Sequence, residues 1–105
     1  MKTKLLFFLS ILSFNFVNSQ IVNIPDANFK AYLVGNTLIN TNSDTEIQVS
    51  EANSYNNIIF CSSLNITDLT GIEEFTSMTT LWCSDNQITS LDVSNCVSLT
   101  SLTCG

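Results

Sequence analysis

Apolar and polar residues alternate in short bursts through the second half of the chain. Ile59-Phe60-Cys61, Leu81-Trp82-Cys83 and Leu102-Thr103-Cys104 share one arrangement, offset by 22 and then 21 residues. A period of two is that of a β-strand, whose successive side chains point to opposite faces. Leu81 and Cys83 therefore point inward, and Thr80, Trp82 and Ser84 outward. The spacing extends beyond the strands. Ile66 matches Ile88 and Leu69 matches Leu91 at 22 residues, while Ile72 with Val93, Phe75 with Cys96 and Met78 with Leu99 match at 21. Such columns predict parallel strands about 4.8 Å apart, with their inward residues stacked.

A repeat of 21–22 residues written L-x-x-L-x-C lies within the range of about 20–29 residues of leucine-rich repeats. The predicted fold class is an α/β repeat solenoid of leucine-rich repeat coils with a short helical N-terminal cap. A sandwich of alternating strands is the alternative. Asn86 falls at the Asn column, where its amide would satisfy backbone groups left open at the turn. Leu64 takes that column in the first coil and Asn56 takes the first Leu column, departures that suit a terminal coil. A third coil has only begun at Gly105, so the expectation is a piece of a longer protein, its last apolar face exposed unless a partner strand pairs to it.

Ile66-Thr-Asp-Leu-Thr-Gly-Ile72 and Leu81-Trp-Cys-Ser-Asp-Asn-Gln-Ile-Thr-Ser-Leu-Asp-Val-Ser-Asn95 resemble the secreted leucine-rich repeat proteins of Bacteroidetes, with internalin-like repeats. The segment Ile24-Pro-Asp-Ala-Asn-Phe-Lys-Ala-Tyr-Leu33 resembles the lead-in of those proteins. The resemblance implies a binding scaffold rather than a particular ligand, because faces on such folds are interchangeable.

Within the lead-in, Phe29, Tyr32 and Leu33 form one apolar stripe at helical spacing, with Pro25 and Asp26 at its start and Gly35 at its end. The polar stretch that follows matches a twelve-residue calcium loop. Asn40, Asn42, Asp44, Gln48 and Glu51 place side-chain oxygens at positions 1, 3, 5, 9 and 12, and Glu46 offers its carbonyl at position 7. Asn at position 1 removes a charge, and Thr45 stands where a glycine makes the sharp turn. A bound calcium would be of the weak extracellular class, with Kd about 10⁻⁴ to 10⁻³ M. The alternative is a loop whose small polar residues simply make turns.

At the N-terminus, Lys2 and Lys4 precede an apolar run from Leu5 to Val17, too short to span about 30 Å of hydrocarbon. The pattern predicts a secretory signal peptide over 1–19, cleaved between Ser19 and Gln20, the alternative being an uncleaved anchor. The expected organisation is thus 1–19 signal peptide, 20–56 N-terminal cap with a degenerate EF-hand-like loop, and 57–105 repeats. The product would be secreted or at the cell surface and not an integral membrane protein. Residues 20–105 carry one cation, Lys30, against all nine acids. That balance excludes nucleic acid as a partner, since phosphates need clustered Lys and Arg. The chain has no His, which removes His-based triads and zinc sites.

Cys61, Cys83 and Cys104 share an inward column and Cys96 takes the column of Phe75, so buried thiols are expected. Adjacent coils also permit a Cys61–Cys83 or Cys83–Cys104 bridge. Outward positions supply the candidate ligand-binding residues Phe60, Trp82, Ser84 and Thr103, aromatic rings in a small-polar surround. Cover by the N-terminal helix, or by chain following Gly105, is the competing explanation for the rings. Asp68, Glu73, Glu74, Asp85 and Asp92 are dispersed and form no base–nucleophile constellation, so an enzyme is not expected. The expected function is a recognition or adhesion module for a protein or glycan. The alternative is a calcium-stabilised cap or spacer of a larger surface protein or enzyme.

Overall fold

The computed structural model describes residues 20–105; the expected signal peptide, 1–19, lies outside the described residues. In chain order come helix α1 (Ala27–Val34), helix α2 (Val49–Ser54), strand β1 (Ile58–Phe60), a 3-10 turn (Ile72–Glu74), strand β2 (Thr80–Trp82) and strand β3 (Ser101–Thr103). The strands make one parallel sheet in the order β1-β2-β3. Ile59 pairs with Leu81, which pairs with Leu102, and Phe60 pairs with Trp82, which pairs with Thr103. The 21–22-residue spacing therefore reappears as strand register.

The α/β repeat solenoid of leucine-rich repeat coils does not form. The sheet is neither closed nor curled, and no stack of repeated units is present. A solenoid needs one unit stacked on its own copies, and here the two crossovers differ. The first carries the 3-10 turn and buries Ile66, Leu69, Ile72, Phe75 and Met78. The second, between β2 and β3, has no helix or strand, and its counterparts Ile88, Leu91, Val93 and Leu99 are only partly buried. Of that crossover only Cys83, directly after β2, and Cys96 are buried. Like-for-like apolar spacing cannot make equal units when one crossover lacks a layer to pack against.

The core runs from the lead-in into the sheet. Phe29 and Leu33 of α1, Ile39 and Ile47 of the following loop, Ala52 of α2, Ile59 of β1 and Leu81 of β2 are all fully buried. Tyr55 meets Phe75 edge-on, with ring centroids 6.5 Å apart, and its hydroxyl donates to the Ile58 carbonyl at 2.6 Å. An antiparallel bridge between Ile21 and Gln48 ties the chain before α1 to the start of α2.

Two polar side chains join these parts. Asp26 caps α1 by accepting from the Asn28 and Phe29 amides on one carboxylate oxygen. Its other oxygen accepts from the Thr67 amide and hydroxyl and the Asp68 amide, 41 and 42 residues away. Asn86 links the ends of β1 and β2. Its Nδ2 donates to the Cys61, Cys83 and Ser84 carbonyls, and its Oδ1 accepts from the Leu64 and Ile66 amides. Gly71 is required where it stands, because its φ is +109° and a Cβ there would lie 2.9 Å from Ile24 Cγ1.

Asn86→Ala removes partners from half-buried backbone groups on two strand ends and is expected to cost about 2–4 kcal/mol. Urea denaturation measures it, and a loss under about 0.5 kcal/mol would show that the amide does not hold the register. Burial alone would raise the Asp26 carboxyl, but the amides of Phe29, Thr67 and Asp68 and the Thr67 hydroxyl together hold it below its ordinary 3.8. Its folded value lies below the unfolded one, so its stabilisation is complete above the unfolded value and disappears as pH falls through the folded one. Asp26→Asn should therefore lower stability at pH 7 and reduce the further loss below about pH 4, read from melts across pH; an unchanged acid limb would contradict this.

Candidate functional site

Period-two geometry sends alternate strand residues to opposite faces of the sheet. Ile59 and Leu81 go into the core, leaving Ile58, Phe60 and Trp82 on the other face, 42%, 53% and 39% exposed. Phe60 and Trp82 are register partners, and their rings meet edge-on with centroids 5.2 Å apart and planes at 61°. Neither the N-terminal helix nor any other described residue buries them. Helix α1 instead closes the outer edge of β1, where the Phe60 amide donates to the Tyr32 hydroxyl at 2.9 Å.

The other expected ligand-binding residues fall beside the rings. Thr103 is the β3 partner of Trp82 and is exposed. Ser84 follows β2, is half-buried, and its amide donates to the Ser62 hydroxyl at 3.1 Å. Thr80 and its partner Ser101 lie two residues earlier on the same face. One turn residue recurs after both strands: Ser63 and Asp85, 22 residues apart, both adopt left-handed backbone near φ +59°. Ile58 belongs to this apolar group and was not among the expected residues, although its outward register with Thr80 was legible.

The expected calcium ligands are held differently. Val49–Ser54 is a helix, and Glu51 is its third residue. One carboxylate oxygen of Glu51 accepts from the Thr41 amide and hydroxyl and the Asn42 amide, and the other from the Gln48 amide. Asp44 accepts from Gln48 and Asn42 side chains and the Glu46 amide. The Gln48 side chain, then burial opposed by the Glu46 and Asn42 bonds, leaves Asp44 below its ordinary carboxylate value. Glu46 pairs with Lys30 at 2.7 Å. The left-handed residue of the loop is Ser43 and not Thr45. Asn40 is buried, donates to the Val34 and Asp44 carbonyls, and leaves its Oδ1 without a partner. Among the described residues no group of three or more His, Cys, Asp or Glu side chains is placed to hold a metal ion.

All four cysteines are free. Cys61, Cys83 and Cys96 are buried, and Cys104 is exposed, as expected for the last apolar face though not for its column taken alone. The reason is its strand: among the described residues β3 has no neighbour on its outer side, which also leaves Leu102 43% exposed. Burial pushes the Cys61 thiol up to about 12 and the Cys83 thiol to about 11. Both stay protonated at neutral pH and act as small apolar side chains. No helix among the described residues is long and apolar enough to cross a membrane. No family model matches the chain, and no curated protein matches it.

Proposed function

We propose that this protein is a non-enzymatic recognition module, secreted or at the cell surface, that binds a protein or glycan through the exposed face of its sheet. The observation that carries the reading is the Phe60–Trp82 pair, held in register and open to solvent beside Ile58. Large exposed rings in a small-polar surround are the usual anchors of binding surfaces. They sit on strands that pair within a packed core, so the face is organised before a ligand arrives. The acidic balance argues against nucleic acid as the partner.

A second reading makes residues 20–56 a calcium-stabilised cap for a larger surface protein or enzyme. The observation favouring it is the unpartnered, buried Asn40 Oδ1 at the first position of the loop. Against it stands Glu51, whose two oxygens already serve four backbone and side-chain donors.

The double substitution Phe60→Ala, Trp82→Ala is expected to abolish the interactions that the protein makes on glycan and peptide arrays. Its midpoint in urea should move little, because both side chains are exposed and such changes stay near about 0.5 kcal/mol. Binding that survives in the folded variant would reject the face. For the cap, about 10 mM calcium at the affinity above would add about 1.4–2.7 kcal/mol. A melt unchanged between calcium and chelator would dismiss the ion. Glu51→Gln is expected to lower the melting temperature in both conditions, as its carboxylate closes the loop without a metal.

A further inference from the structure

We propose that the ligand of the sheet face is a neutral glycan, a chain of uncharged hexopyranose rings, with Trp82 as the stacking platform. This rests on the recognition reading above and specifies its ligand class.

Three observations carry it. The face is graded rather than uniformly apolar: β1 supplies Ile58 and Phe60, β2 supplies Thr80 and Trp82, and β3 supplies Ser101 and Thr103. A pyranose ring has the same division, with C–H groups on its face and hydroxyls at its rim. Ser and Thr hydroxyls both donate and accept, so they suit sugar hydroxyls in any orientation. A protein hot spot instead wants an apolar centre surrounded on all sides by contacts that keep water from it, and here the apolar residues lie to one side.

Ring geometry is the second. Planes 61° apart with centroids at 5.2 Å do not make one flat surface across both rings. A single sugar ring can stack on one aromatic while the next turns toward the other, which suits a jointed chain of rings.

Charge is the third. No Lys or Arg occurs anywhere from residue 57 to 105, and Lys30 is engaged with Glu46. Uronate or sulfate groups would meet no counter-charge and an acidic excess. An uncharged glycan has no such penalty.

Trp82 is the only tryptophan of the chain, so its fluorescence reports on the face directly. The purified protein would be titrated with cellohexaose, maltohexaose and mannohexaose, with hexagalacturonate as the anionic probe, and with an amphipathic Leu/Lys peptide as the apolar one. The expected result is a saturable emission change with at least one neutral hexasaccharide and none with hexagalacturonate. Thr103→Val keeps the side-chain shape and the tryptophan, and should weaken neutral-sugar binding at least about threefold. Trp82→Ala, followed by calorimetry, should weaken it at least about tenfold. Hexagalacturonate binding as well as the neutral sugars, or no response to any sugar, overturns the proposal. If the peptide then binds and Trp82→Ala abolishes that binding, the recognition reading stands with a protein ligand. If peptide or sugar binds and Trp82→Ala leaves it untouched, both readings fall.

Discussion

Asn86 carries two donors and an acceptor into the place where β1 and β2 end, and through them it ties these two strands to each other. Its amide meets carbonyls on both strands and accepts from two amides of the turn after β1. Backbone groups in such a turn have no ladder partner, and leaving them dry would be costly. A three-residue strand brings too few ladder bonds to choose its own register. The amide makes the choice, and with it decides which residues face the core. A slip of one residue would send Leu81 outward and Trp82 inward.

That register is what creates the candidate site. Phe60 and Trp82 are neighbours only because residues 22 apart are paired across β1 and β2. Asp26 extends the same logic to the cap, binding the start of α1 to the turn after β1 through one carboxylate. Tyr32 of α1 is thereby set against β1, where it closes the edge that borders Phe60. The aromatic face is thus bordered by helix on one side and by the edge strand β3 on the other.

The polar residues of 40–51 show how one set of groups can suit two roles. Oxygen-rich spacing reads as a metal loop, yet the same oxygens accept backbone amides that would otherwise be open. Glu51 is the instructive residue. As the last ligand of a loop it would face an ion, and as the third residue of the helix that Gln48 caps it reaches back to the Gln48 amide. The spacing from Gln48 to Glu51 carried that signal, masked by the match to a calcium loop.

Period and composition alone determined the strands, their pairing offsets, the inward and outward residues, the α1 stripe and the acidic character of residues 20–105. These are local or periodic properties, and they survive because a side-chain period of two leaves little choice once one face is apolar. Tertiary structure decided the rest. It made the two crossovers unequal, burying Phe75 and Ile72 but leaving Leu91 and Val93 half-covered, so matched columns did not become matched coils. It also set the angle between Phe60 and Trp82, which depends on the packing of whole strands and cannot be read from spacing.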